Sequence, residues 1–254
     1  MDDAAIIDLA LKQIRAEFGA DLLGVLAGGS RMRGEGGPNS DLDVVVVVGR
    51  PRRRRWNIVI AGVEVETFVN PPFQMKRYFE EDRKSGKGLM PHLCSTGRIL
   101  FDPQGVMAML QAEAVAIWDA GPAPVSERDR WYFRYGAADI LRDIDDVMTS
   151  DAERALFLVG LLLPQLVDQH YRIAGRWLHK RKRVLDDLAL WDAPAAAMAR
   201  QACSITATVR QRYMALLQLA DHVLAPLGGI MPSECSTEWE ELSETKSEPR
   251  AADA

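Results

Sequence analysis

Asp41-Leu42-Asp43, running directly into Val44 to Val48, constrains the fold more than any other part of the 254-residue chain. Five consecutive β-branched residues favour a strand, where their stiff side chains fit the pleated surface. Successive side chains of a strand point to opposite faces, so Asp41 and Asp43 project the same way while Leu42 packs inward. Upstream lies LLGVLA (22–27), a short apolar run read as a buried strand, followed at once by Gly28-Gly29-Ser30. The ten residues between Ser30 and Asp41 include glycines and a proline and read as loop.

The elements around this segment follow from periodicity. Ile6, Ile7, Leu9, Leu11 and Ile14 predict a first helix, closed by Gly19. Arg50 to Arg55 reads as a basic connection, and NIVIAGVEVETFV (57–69) as two strands joined at Ala61-Gly62. After Pro71-Pro72 the pattern turns helical up to the Gly86 and Gly88 turn. From about Val106 onward amphipathic periodicity predicts helices near 105–118, 126–148, 151–176 and 194–225. The fold class is therefore α/β (α+β), a small mixed sheet with helices followed by an all-helical bundle. Gly121 to Pro124 is the expected boundary, giving domains at 1–120 and 121–228. Residues 229–254, rich in Ser, Glu, Thr and Pro, read as a disordered tail.

Composition sets limits on partners and compartment. Apolar residues are 48% of the chain and charged residues 26%, enough for an ordinary core. The net charge of −5 argues against sequence-independent binding of nucleic acid by the whole surface. Cys94, Cys203 and Cys235 are far apart and odd in number, which suggests neither a disulfide framework nor a zinc pair and points to a reducing cytoplasm. The start is acidic where a signal peptide would be basic, and the longest apolar run, 155–164, is about half of the ~20 residues that span a bilayer. A soluble cytoplasmic protein with no membrane partner is expected, and a homodimer is left open.

Two carboxylates side by side repel each other unless a cation neutralises them, and oxygen ligands of this kind suit Mg²⁺ together with phosphates and water. A strand, a glycine turn and Ser30 at a helix N-terminus offer free N–H groups and a hydroxyl to phosphate. Together they describe a metal-bound nucleoside triphosphate. A third carboxylate is expected from a neighbouring strand; Glu64 and Glu66 share one face, and Glu66 is preferred because it precedes its apolar run as Asp43 precedes the valines. A surface turn beside a strand with solvated aspartates would account for each piece, but not for their order. The spacing matches neither a P-loop nor a dinucleotide fingerprint.

GGSRMRGEGGPNSDLDVVVVV resembles the nucleotidyltransferase superfamily of DNA polymerase beta type, with its Gly-Ser, spacer, Asp-x-Asp and later acidic strand. The spacer is most similar to those of minimal nucleotidyltransferases and aminoglycoside adenylyltransferases, and the helical second half also looks like that of the latter. The resemblance implies a two-ion Mg²⁺ site at Asp41, Asp43 and Glu66, with Gly28, Gly29 and Ser30 on the phosphates of ATP. It implies transfer of a nucleoside monophosphate, AMP from ATP, to a hydroxyl of a small acceptor, aminoglycoside-like in one reading, with release of pyrophosphate. A protein-AMPylating antitoxin and a catalytically silent nucleotide-binding module are the alternatives.

Weaker signals have bland counterparts. Arg31, Arg33 and Ser40 are candidates for nucleotide contact, as is Lys180 at the head of Lys180-Arg181-Lys182-Arg183. The run Arg52 to Arg55 reads as a solvated hairpin tip, with contact to nucleic acid or to a second substrate the other use. Asp139, Asp143 and Asp146, with Asp145 beside them, form an acidic helix face that is either solvated or turned to a cationic acceptor. Arg172 and His179 fit the loose Arg-x(4–6)-His pattern of HEPN ribonucleases, a match of high chance rate. His92, His170 and His222 show no ligand spacing and read as core or surface histidines. Trp131, Tyr132, Phe133 and Tyr135 read as helix packing, with base stacking the other use.

Overall fold

The computed structural model describes residues 2–37 and 40–239. Helix α1 (Asp3–Phe18) starts where Asp2 accepts a hydrogen bond from the Ala5 N–H (2.9 Å) and ends at Gly19, whose φ of 50° few other residues tolerate. Strand β1 (Leu22–Gly28) leads into the one-turn helix α2 (Gly29–Met32), then come β2 (Leu42–Val48), β3 (Arg54–Ile60) and β4 (Val63–Asn70). Helices α3 (Pro72–Ser85) and α4 (Leu89–Thr96), strand β5 (Arg98–Phe101) and helix α5 (Val106–Ala120) complete the first half.

The five strands form one sheet in the order β3-β4-β2-β1-β5. Only β2 and β4 run parallel; the other pairs are antiparallel. Strand β3 runs back along the outer edge, so β4 is inserted between it and β2. The two parallel strands therefore begin side by side, with Asp43 opposite Glu66. On one face Val44, Val46, Val65 and Val69 pack under α1 with Ile6, Ile7 and Ile14. On the other, Leu26, Val45, Val47 and Phe68 meet Met75, Phe79, Leu93 and Met107 from α3, α4 and α5. Covered on both faces, β2 is a continuous apolar run rather than an alternating one.

The second half is an all-helical bundle: α6 (Glu127–Val147), α7 (Ala152–Ile173), α8 (Val184–Trp191), α9 (Ala193–Ala202) and α10 (Val209–Leu224). Its core joins Leu141, Ile144, Leu162, Leu166, Leu188, Leu216 and Leu219.

Several expectations are corrected. The basic run does not stay a hairpin tip, since Arg54 and Arg55 belong to β3. The long helical stretch at 194–225 is broken at 203–208, where Thr208 and Gln211 form a capping box that starts α10. Helix α4 and the short edge strand β5 occupy a region without an assigned element. At the start of the tail Gly229, like Gly228 just before it, accepts a hydrogen bond from Arg134, and Met231 is buried; residues 240–254 of that tail lie outside the described residues.

Leu26 is fully buried on β1 between the valines and α4. Leu26→Ala is expected to cost about 2–5 kcal/mol, read as a lower denaturant midpoint with an unchanged slope.

Candidate active site

The end of β1 and the beginnings of β2 and β4 meet at one edge of the sheet. Gly28 pairs with Asp43 and Asp43 pairs with Glu66, so the register alone puts the glycine turn and two carboxylates in a row. Asp41, one residue before β2, joins them: ligand oxygens of Asp41, Asp43 and Glu66 all lie within 4.8 Å of one another. Glu64 is not part of the group. It is exposed, and its Oε1 accepts a hydrogen bond from Asn57 (2.7 Å).

Gly29 has a φ of +85°, and a Cβ there would overlap the Asp43 carboxylate. The residue thus meets two demands at once, left-handed backbone and close approach of the turn to the carboxylate. Ser30 follows in α2, its Oγ 3.5 Å from that of Ser40, which accepts a hydrogen bond from the Gly37 N–H (2.8 Å). Arg31 is committed to holding this loop: it donates to the Ser40 carbonyl (2.9 and 3.2 Å) and pairs with Asp3 of α1 (2.7 Å). Arg33 pairs with Glu35 (3.2 Å).

Burial, and then repulsion from Asp41 and Glu66, pushes the Asp43 carboxyl up to about 6, against the pull of Lys180 and Arg33. The influence of Lys180 is itself informative, because this residue lies far along the chain. After α7 the segment at 174–183 turns back to the sheet domain. Leu178 donates to the Gly86 carbonyl (2.9 Å), and Trp177 donates to the Trp118 carbonyl (2.9 Å) while stacking on its ring (5.1 Å, 3° between planes). His92 also packs against Trp118, its ring tilted by 36° (4.5 Å between centres), and its buried Nδ1 has no hydrogen-bond partner among the described residues. Burial first, then the Arg33 and Lys180 charges, hold His92 below the usual imidazole range. Arg33, Lys180 and His92 therefore share one electrostatic neighbourhood with Asp43.

Sequence reasoning placed Arg55 in a hairpin tip and missed that it lies on β3 beside Glu66. Its guanidinium pairs with Glu66 (2.9 Å) and lies 3.9 Å from the centre of the Phe68 ring. Beyond it opens a cavity of about 490 Å³, lined by Arg53, Tyr78, Asn70, Glu81 and Asp82 as well as Arg55 and Phe68. Glu66, Phe68 and Asn70 alternate on β4, so cavity and carboxylates share a face of the sheet. The alternation of Arg53, Arg55 and Asn57 with Trp56 and Ile58 is the signal that would have extended β3 and aimed Arg55 at this face.

A family model, the nucleotidyltransferase domain, matches residues 7–188. The chain belongs to the nucleotidyltransferase family. Among solved structures, a nucleotidyltransferase-like protein from Exiguobacterium sibiricum is 16% identical with a TM-score of 0.49, covering 87% of this chain and 75% of its own. No curated protein sequence matches this nucleotidyltransferase. Three clustered oxygen donors, one of them with its carboxyl pushed up to about 6 by burial and then by its neighbours, fit a hard cation such as Mg²⁺.

Other candidates fall outside this centre. Asp139, Asp143, Asp145 and Asp146 are exposed, with Asp139 near Arg142 (3.7 Å), as a solvated face would be. Arg172 is tied to Asp129 (2.9 Å) and lies over Phe133, while His179 is exposed. Trp131 stacks on Tyr135 (4.8 Å) along α6. Among the described residues no helix is long and apolar enough to cross a membrane. His170 and His222 are not isolated histidines: both reach Asp192, a convergence that their spacing along the chain conceals.

Two outcomes test this geometry. Gly29→Ala forces strained backbone and displaces the Asp43 carboxylate, so it should lower stability by about 1 kcal/mol or more and abolish Mg²⁺-dependent stabilisation in thermal melts. The second concerns pH. The folded Asp43 carboxyl titrates near 6, above its ordinary 3.8, so the stability it contributes is full below pH 3.8 and lost as pH rises through 6. Without metal, Asp43→Asn should therefore gain on the natural protein in melting temperature across that window, and millimolar Mg²⁺ at pH 8 should stabilise the natural protein more than the variant.

Proposed function

We propose that this protein is a Mg²⁺-dependent nucleotidyltransferase that moves a nucleoside monophosphate, AMP from ATP, onto a hydroxyl of a small-molecule acceptor and releases pyrophosphate. The observation that carries the reading is the trio of carboxylates gathered against a Gly-Gly-Ser turn. Asp41 and Asp43, with Glu66, would hold Mg²⁺, which when bound neutralises the carboxylates and the charge on the phosphates. Gly28, Gly29 and Ser30 would bind the leaving pyrophosphate through N–H groups and a hydroxyl. Lys180 and Arg33 would add positive charge on the same side, in keeping with their effect on Asp43. Glu66 is the group to accept the proton of the attacking hydroxyl at a carboxylate oxygen, once its pair with Arg55 opens.

The cavity beside Glu66 is the acceptor site in this reading. Its lining opposes Arg53 and Arg55 to Glu81 and Asp82 around the rings of Phe68 and Tyr78. That mixture suits a hydroxylated molecule with a flat or apolar face better than a polycation such as an aminoglycoside, which would call for a predominantly acidic wall. The division of labour follows the expected boundary at 121–124: residues 1–120 carry the chemistry, and the helical part up to 228 supplies Lys180 and closes the site.

The decisive assay incubates the protein with labelled ATP, Mg²⁺ and a panel of hydroxylated acceptors, and reads pyrophosphate release with label transfer. Asp41→Asn is expected to reduce transfer by at least about 100-fold while the circular dichroism spectrum stays unchanged. Undiminished transfer by that variant would sink the assignment. ATP binding without turnover across the panel would favour a nucleotide-binding module instead.

A further inference from the structure

The helical bundle carries a second convergence of ligand groups, remote in sequence and chemistry from the carboxylate trio. His170 on α7, Asp192 between α8 and α9, and His222 on α10 bring their ligand atoms within 4.8 Å of one another. Both imidazoles use Nε2, and both address the same carboxylate oxygen, Asp192 Oδ2, at 2.8 and 2.7 Å. The other oxygen, Oδ1, is occupied by the Ala195 N–H at the start of α9 (3.0 Å), which fixes the carboxylate plane. The His170 ring is fixed in turn by Trp191, stacked at 4.8 Å. His170 and Asp192 are largely buried, whereas the His222 side chain is 38% exposed, so one side of the trio opens to water.

We propose that His170, Asp192 and His222 form a zinc-binding site in the bundle, a three-ligand centre whose remaining position is taken by water. Two imidazole nitrogens and one carboxylate oxygen are the donor set that a borderline-soft cation such as Zn²⁺ takes, and one that Mg²⁺ does not favour. Zn–N and Zn–O bonds of about 2.0–2.1 Å set tetrahedral ligand atoms about 3.3 Å apart, so the present contacts need to widen by only about half an ångström. Each imidazole then carries its proton on Nδ1 instead of Nε2, with no change in net protonation. Orientation of the carboxylate by a backbone N–H and of one imidazole by an aromatic face is the kind of outer support that holds ligands ready for metal. A metal here ties α7, the α8–α9 corner and α10 together.

The full-length protein, stripped with chelator and then equilibrated with Zn²⁺ in excess Mg²⁺, should bind one zinc per chain by elemental analysis. The double variant Asp41→Asn/Asp43→Asn should keep that zinc. His222→Gln, a partly exposed and conservative change, should lose at least about tenfold in affinity against a chromophoric chelator, the size that even an outer-shell partner carries. Co²⁺ in place of zinc should give the intense visible bands of a four-coordinate N/O site in the natural protein, a readout that does not depend on any variant folding. Failure to bind stoichiometric zinc, zinc retained by a folded His222→Gln protein, zinc lost in the double aspartate variant, or only weak six-coordinate Co²⁺ bands would each overturn the proposal.

Discussion

The structure turns on a repulsion. Parallel pairing of β2 with β4 sets Asp43 beside Glu66, and Asp41 completes a group of three carboxylates within 4.8 Å. Burial first, and then this repulsion, pushes the Asp43 carboxyl up to about 6. The surrounding fold keeps the group together. Valines buried from both faces lock the register of β2, and a slip of one residue would turn Asp43 and every valine to the opposite side. Gly29 permits the turn to approach, and Arg55 from the neighbouring strand offsets part of the charge at Glu66.

The helical half adds positive charge to this site. Lys180 lies after α7, yet its charge acts on Asp43, His92 and Glu35. It is brought there by the Trp118–Trp177 stack and the backbone bond from Leu178 to Gly86. Gly88 makes the stack possible: a Cβ at this left-handed position would run into both indoles. Packing between the halves and charge at the site are thus coupled through a few residues, and both can be disturbed at Trp177 without touching a carboxylate.

What was legible in the sequence was local and strongly patterned. Gly28-Gly29-Ser30 and Asp41-x-Asp43 were visible because strand alternation converts spacing into facing directly; the same rule put Glu64 and Glu66 on one face, and only the register of β4 against β2 separates them. Less visible were features set by competition between weak signals. Arg54 and Arg55 look like a solvated charge run until their alternation with Trp56 is weighed, and β5 is a four-residue edge strand whose residues are only partly buried. The break at 203–208 was hidden because apolar residues continue on both sides of it. His170, Asp192 and His222 are separated by 22 and 30 residues, and no helix or strand period relates them. Their meeting is a product of how the bundle packs, which spacing cannot express.

The two clusters differ in what a carboxylate meets, and that difference separates their chemistry. Asp43 is partly buried beside the like charges of Asp41 and Glu66, which Lys180 and Arg33 only partly offset, so a hard divalent cation would relieve both the burial of its charge and the repulsion. Asp192 is already satisfied by two imidazoles and a backbone N–H, and the same contacts with positive character hold its carboxyl below the usual range, burial notwithstanding. A cation must therefore displace hydrogen bonds to enter there, and only one that bonds nitrogen well has reason to do so. In the proposed readings magnesium, with its preference for oxygen and retained water, would go to the carboxylates at the strand ends, and zinc, with its affinity for imidazole, to the bundle. One chain can in this way keep a metal for phosphate chemistry and a metal for the architecture of its helical half without either competing for the other's ligands.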